Sequence, residues 1–146
     1  MSGLAHVNSF HDLIVYQKTR ALSREIFALT KRFPKDETFS LTDQIRRSSR
    51  SVGAQIAEAW AKRRYEAHFI SKLTDADGEQ QETQHWLETA LDCEYISKKE
   101  ADMLLERYAE IGRLLGGMMA KAELFCNPGA LAVHEEQAAY FITTEN

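Results

Sequence analysis

The feature that most constrains this fold is a spacing: apolar residues recur at alternating intervals of three and four along much of the chain. An α-helix has 3.6 residues per turn, so this spacing puts the apolar side chains on one face. The longest uninterrupted example consists of Ala101, Leu104, Tyr108, Ile111, Leu115, Met118, Ala122 and Phe125. No stretch alternates with a period of two for long enough to predict a strand. The chain is therefore predicted to be all-α.

Four helices are predicted from this spacing, with short links between them. They cover residues 11–33, 41–62, 65–95 and 98–125. Neither Gly nor Pro separates the second from the third, so one long kinked helix is an open alternative there. The pattern predicts an antiparallel up-down-up-down four-helix bundle. We expect residues 1–126 to form this bundle domain and residues 127–146 to form a C-terminal tail, either disordered or docked on a neighbour.

Polar residues stand where helices are expected to begin. Ser9 is predicted to be the N-cap of the first helix. The pair Ser40 and Asp43 has the spacing of a capping box for the second helix, and Ser97 and Glu100 have it for the fourth.

Composition narrows the class of protein. A chain of 146 residues suits one domain that can bury a sizeable core. No run of about 18 apolar residues exists, so no membrane span is expected, and the first residues do not resemble a secretory signal. Cys93 and Cys126 lack the spacing of a metal or redox motif, which favours packed thiols in a reducing compartment. We predict a cytoplasmic protein.

Charge is distributed unequally along the chain, although the net charge is only −4. Residues 1–65 contain 12 Lys or Arg and 6 Asp or Glu, whereas residues 66–146 contain 6 and 16. Such asymmetry indicates a nucleic-acid surface or a partner of complementary charge. The alternative is that the two halves pair with each other, within one subunit or across an interface.

Four motifs occur along the chain in a fixed order. They are LIVYQKT at residues 13–19, PKDE at 34–37, DQIRRSSRSVGAQIAEA at 43–59 and DADGEQQET at 75–83. Together they resemble the signature of the four-helix-bundle proteins related to those encoded in 23S rRNA intervening sequences. The resemblance extends over residues 10–124.

The resemblance implies an antiparallel four-helix bundle, a break between the second and third helices, and a homopentamer. The accessory protein of diversity-generating retroelements belongs to the same broad group, and it binds nucleic acid and a reverse transcriptase through a basic surface. Function in the rest of the family is largely unassigned. This chain departs from the signature at Gln55, Ala59 and Glu79, and its net charge is acidic.

Six basic residues on the second helix and at its end are the candidate nucleic-acid site. They are Arg46, Arg47, Arg50, Lys62, Arg63 and Arg64. A guanidinium presents a bidentate fork to phosphate, which favours this function. The alternative is ion pairing, with Asp43 three and four residues before the first two arginines and with Glu58, Glu79 and Glu82 accepting the remainder. The sequence shows no basic stretch interleaved with aromatic residues, as a single-strand platform would have.

Four further residues are candidates for a subunit interface. Gln80 and Gln84 interrupt the apolar face of the third helix, where they would fix register, line the channel of a five-subunit ring, or lie exposed on the flank. Trp60 and Trp86 fall beside the main apolar stripes. Trp is enriched at interfaces, so we expect at least one of the two to be buried between subunits.

No catalytic, metal or cofactor site is predicted. Glu82 and His85 form one Glu-x-x-His half-site, but a di-iron bundle needs a second such pair, and the sequence has none. No Gly-rich phosphate loop follows a strand. We therefore expect a non-enzymatic, self-associating scaffold or accessory protein that binds RNA or DNA. The competing prediction is a protein–protein adaptor without nucleic-acid contact.

Overall fold

Every regular element in the described residues is helical. The structure is a computed structural model that describes residues 8–127 and 129–143. Its long helices are α1 (Ile14–Thr30), α2 (Leu41–Ala61), α3 (Glu66–Asp92) and α4 (Lys98–Ala120). Three short helices follow: α5 (Ala122–Cys126), α6 (Ala130–Val133) and α7 (Glu135–Ala138). The all-α prediction is confirmed for these residues, and no helix among them is long and apolar enough to cross a membrane.

The predicted apolar stripes form the core. α2 lies against both α1 and α3, while α4 lies against α3 and, less extensively, against α1. All eight apolar residues of the 101–125 stripe are buried. Between α2 and α3, the Thr83 hydroxyl donates to the Ser48 hydroxyl oxygen at 2.8 Å, so this buried polar pair is satisfied within the core.

The first helix begins later than predicted. Ser9 caps a 3₁₀ turn, Phe10–Asp12, by accepting from the His11 amide, and it does not cap α1. Leu13 is extended, with φ −77° and ψ 127°, because it pairs with Ile142 in an isolated antiparallel bridge. α1 therefore starts at Ile14, three residues after the predicted position.

The predicted capping box of α2 is wrong. The Ser40 side chain makes no cap hydrogen bond, and Glu37 replaces it: one carboxylate oxygen accepts from the Leu41 amide and the Ser40 hydroxyl. The other oxygen accepts from the Tyr95 hydroxyl at 2.8 Å. These bonds, with that from Tyr95 the strongest, lower the pKa of the Glu37 carboxyl. One acidic residue thus ties the start of α2 to the end of α3.

The second and third helices are separate, as the resemblance implied. Lys62 leaves helical geometry at φ −101° and ψ 14°, and Tyr65 is extended at φ −121° and ψ 115°. α3 then ends at Asp92, three residues before the predicted end. Glu94 has φ +62°, which costs a residue with a side chain about 1–2 kcal/mol. Its amide donates to Leu91 and that of Tyr95 to Ala90, as in a Schellman motif.

The fourth helix has the predicted capping box, and then it breaks. The Ser97 hydroxyl accepts from the Glu100 amide, and the Glu100 carboxylate accepts from the Ser97 amide. The predicted helix to residue 125 is interrupted at Lys121, with φ −116° and ψ 34°. The apolar face continues across the break, because Phe125 in α5 stays buried and stacks on Phe69.

Part of the predicted tail packs onto its own chain, since Ala130, Ala138, Phe141 and Ile142 are buried, whereas docking on a neighbouring subunit stays a prediction. Phe141 is 3% exposed and lies edge-on to Phe125 with ring centroids 5.7 Å apart. A Cβ on Gly117 would come within 2.9 Å of the Phe141 ring, so the ring fits because Gly is there. Residues 1–7, 128 and 144–146 lie outside the described residues, and the division into 1–126 and 127–146 stays a prediction.

Phe141→Ala is expected to lower the free energy of unfolding by about 3–5 kcal/mol, because it removes a buried aromatic ring and leaves a cavity. Urea denaturation followed by circular dichroism measures this change. Tyr140→Ala is the matched control. Tyr140 adjoins Phe141 in the chain but is 67% exposed, so its removal should lower the free energy of unfolding by no more than about 0.5 kcal/mol. A loss below about 1 kcal/mol for Phe141→Ala would contradict the docking of the tail.

Candidate functional site

A groove runs between the exposed faces of α1 and α2. It consists of three adjoining depressions, and Arg50 lines all of them. The largest has a volume of about 510 Å³. We call it the basic groove and define it by its basic and aromatic lining residues: Phe10, Tyr16, Arg20, Arg24, Phe27, Arg46, Arg47 and Arg50.

Helical spacing explains why the α1 residues of the groove share one face. Tyr16, Arg20, Ser23 and Phe27 follow each other at intervals of four, three and four. Eleven residues make three turns, so Tyr16 and Phe27 point the same way, about 16 Å apart along the axis. This second stripe lies beside the buried one and faces α2.

Phe27 is the residue that the sequence reasoning missed. Its ring is 38% exposed, and three cations surround it: the Arg46 guanidinium carbon at 4.5 Å from the centroid, Lys31 Nζ at 4.8 Å and the Arg50 guanidinium carbon at 5.6 Å. Cations are attracted to an aromatic face. The sequence showed no basic stretch interleaved with aromatic residues, and the fold nevertheless brings this one ring among the cations. The sequence could have indicated it, because Phe27 is an aromatic residue outside the apolar stripe of the first helix and follows Arg24 by three residues.

Arg46 joins the two helices through neutral groups. Its Nε donates to the Thr30 hydroxyl oxygen at 2.7 Å, and its Nη2 donates to the Phe27 carbonyl at 3.4 Å. Both acceptors are in the last turn of α1, where the helix dipole favours a cation. The predicted pairing with Asp43 is absent from the described contacts. The charge of Arg46 is thus held in place without being neutralised.

Arg47 is the arginine for which ion pairing is confirmed. Its guanidinium contacts the carboxylates of both Glu79, at 3.6 Å, and Glu82 on α3. Glu82 also accepts from the Trp86 indole at 3.1 Å. The third predicted acceptor, Glu58, lies 3.6 Å from Lys72 instead.

The other cations of this face have no carboxylate partner within the described part of the chain. No carboxylate oxygen of residues 8–127 or 129–143 lies within 4.0 Å of any of the following: Arg20, Arg24, Lys31, Arg46 and Arg50. Asp43 is the acidic residue that lines the groove, at the end away from Tyr16. Ion pairing therefore accounts for Arg47 and leaves a surface of net positive charge around Phe27.

The remaining predicted basic residues lie elsewhere. Lys62, Arg63 and Arg64 are at the turn between α2 and α3, about 24 Å from Arg46 along the α2 axis. Arg63 covers the Trp60 ring at 3.6 Å and donates to the Trp60 carbonyl at 2.8 Å. Burial lowers the pKa of Arg63. The six predicted residues are thus divided into two separate groups, and the groove group surrounds an open cavity.

The candidate interface residues differ in how far their own chain covers them. Trp60 is 5% exposed and Gln80 is 3% exposed, so exposure of Gln80 on the flank is ruled out. Gln80 donates to Asp77 at 2.8 Å and accepts from Gln84 at 2.7 Å. Trp86 and Gln84 are half-buried. A subunit-interface role for the four residues stays a prediction.

Gln80 fits against α4 through a glycine. A Cβ on Gly112 would lie 2.7 Å from Gln80 Nε2, closer than side chains allow. A polar series of Asp77, Gln80 and Gln84 therefore runs along α3, and its buried member, Gln80, meets α4 at Gly112. A role of Gln80 in fixing the register of the two helices stays a prediction.

Metal and thiol groups are dispersed in the described residues. No three His, Cys, Asp or Glu side chains there are placed to hold a metal ion, and Glu82 of the Glu-x-x-His pair contacts Arg47. Cys93 is exposed, contrary to the expectation of a packed thiol, whereas Cys126 is half-buried. Burial raises the pKa of the Cys126 thiol.

These observations define an all-α protein with a cationic, aromatic-containing groove between its first two helices. Residues 11–117 match the family described as 23S rRNA-intervening sequence protein. The chain belongs to the 23S rRNA-intervening sequence protein family, which confirms the resemblance drawn from its motifs. The matched region contains the whole basic groove except Phe10, and it ends before α5 and the tail.

A solved structure is similar to this chain over most of its length. It is the 1.70 Å crystal structure of a protein with unknown function from the S23 ribosomal protein family of Bacteroides thetaiotaomicron. The two chains are 32% identical with a TM-score of 0.67, and the similarity covers 73% of this chain and 96% of the other. A comparison with curated proteins gave no match.

Proposed function

We propose that this protein is a non-enzymatic, self-associating accessory or scaffold protein that binds nucleic acid through the basic groove. The observation that carries the proposal is the set of groove cations without carboxylate partners. Arg47, by contrast, is neutralised by Glu79 and Glu82 on α3. A phosphate backbone would supply the missing negative charge, and the release of its counterions would favour binding.

RNA is the first ligand to test. The family takes its name from an intervening sequence of 23S rRNA, and the similar Bacteroides protein is described as a member of a ribosomal protein family. The overall charge of −4 does not oppose binding, because the potential at a surface depends on local charge within a Debye length, about 8 Å at physiological salt.

Short links support an antiparallel up-down-up-down arrangement of the four long helices. The link of four residues, 62–65, reaches at most about 14 Å, whereas α3 with its 27 residues is about 40 Å long. α3 therefore starts near the end of α2, and the extensive contacts between the two helices support an arrangement in which α3 runs back along α2. The link 93–97 and the contacts of α4 with α3 support the same reversal for α4.

Self-association, as a homopentamer, rests on the family resemblance and on two half-buried residues. Trp86 and Gln84 both present surface on α3 that a second subunit could cover. The excess of cations in residues 1–65 and of carboxylates in residues 66–146 would favour contact between unlike halves of neighbouring subunits. We place this assembly in the cytoplasm, in keeping with its two unpaired cysteines.

The double variant Arg24→Gln/Arg50→Gln is expected to weaken nucleic-acid binding, because it removes two groove charges that make no hydrogen bond within the described residues. The slope of log K against log salt should fall by roughly 0.7 to 0.9 for each phosphate that the variant no longer neutralises. Fluorescence anisotropy with a labelled oligonucleotide, from about 50 to 200 mM salt, measures both quantities.

The matched control is Lys98→Gln/Lys99→Gln, which removes two charges from the start of α4 and gives the same net charge. It should bind like the parent protein. Equal losses of affinity in the two double variants would mean that only net charge matters, and they would contradict binding in the basic groove. If the parent protein does not bind the oligonucleotide at about 50 mM salt, the competing function, a protein–protein adaptor, is the one that remains.

Size-exclusion chromatography with light scattering is expected to give five times the 16.7 kDa of one chain. Raising the salt concentration should favour smaller species, because contacts between unlike charges are screened. A single species of 16.7 kDa at every salt and protein concentration would contradict self-association while leaving the groove proposal intact.

A further inference from the structure

We propose that the basic groove selects single-stranded over double-stranded nucleic acid, with an unpaired base against the exposed Phe27 ring and phosphates on Arg24 and Arg50. This inference rests on the proposed function and specifies its ligand. It concerns the depression of about 390 Å³ that Ser23, Arg24, Phe27 and Arg50 line.

The aromatic ring is what a single strand would use. Electrostatic attraction to phosphate needs only cations, yet this face also has Phe27, which is 38% exposed and lines a depression. Single-strand binding surfaces combine a cationic track with aromatic rings on which bases stack, and guanidinium planes also stack on bases. Phe27, with Arg50 at 5.6 Å from its centroid, presents both kinds of surface.

A duplex would leave that ring unused. Its bases are already stacked on each other and paired, so it offers phosphates and groove edges to a protein surface. The Phe27 ring lies between the cations of α1 and α2, which would meet the phosphates first. The ring would then gain no stacking partner, and the duplex would gain only the charge contribution.

The groove also limits where the strand can lie. Asp43 lines the depression beside Arg46 and Arg47, and its carboxylate would repel phosphates there. At the other end, Arg20 lines the depression with Tyr16, and no acidic side chain lines it. A strand is therefore expected to run from Phe27 along α1 towards Tyr16. An acidic protein segment would meet the same cations, but it would gain nothing from the ring.

Phe27→Leu is expected to weaken binding of a single strand of about 12 nucleotides by at least about 5-fold, since one base–aromatic stack is worth about 1–3 kcal/mol. The slope of log K against log salt should not change, because no charge is removed. Anisotropy titrations with matched RNA and DNA single strands and with the corresponding duplexes give the affinities. The parent protein should bind either single strand more tightly than its duplex.

The matched control is Tyr140→Leu, which removes an exposed aromatic ring outside the groove and should not alter affinity. Circular dichroism establishes that both variants are folded. Equal binding of single strand and duplex, or an unchanged affinity in Phe27→Leu, would overturn the inference while leaving nucleic-acid binding by the groove in place. Polyglutamate that competes as well as the single strand in both parent and variant would also overturn it.

Discussion

The basic groove depends on how Arg46 is held. Its guanidinium is bound by a hydroxyl, a backbone carbonyl and the face of Phe27, and all three groups are neutral. A carboxylate in the same place would fix the arginine equally well, but it would cancel the charge. Because these contacts are neutral, Arg46 joins α1 to α2 and the surface between the two helices keeps its positive charge. The same contact holds the Phe27 ring at the surface.

The arginines of one helix turn serve different purposes as a result. Arg47 points to α3 and is neutralised by Glu79 and Glu82, so it fastens α2 to α3. Arg46 fastens α2 to α1 and keeps its charge. Arg50, one turn on, is exposed and lines all three depressions. α2 is thus tied to α3 by ion pairs and to α1 by neutral contacts, and its groove side keeps a positive charge.

The sequence predicted what depends on local pattern and failed where distant residues meet. The 101–125 stripe and the Ser97–Glu100 capping box were correct because spacing along one helix determines them. Phe27 was missed, since its importance comes from arginines about 20 residues away on another helix. The late start of α1 has a similar cause: Ile142, near the other end of the chain, holds Leu13 extended. Glu37 was missed as a cap because it lies three residues before Ser40, the N-cap position of α2.

The most direct test of the central claim is photo-crosslinking of a single-stranded oligonucleotide to the parent protein, followed by mass mapping of the peptides. The account predicts crosslinks in the peptides that contain Phe27 and Arg50, on the two sides of one groove. Crosslinks concentrated at Lys62, Arg63 and Arg64, or on α3 and α4, would contradict it. They would mean that the unpaired cations of the groove serve another purpose.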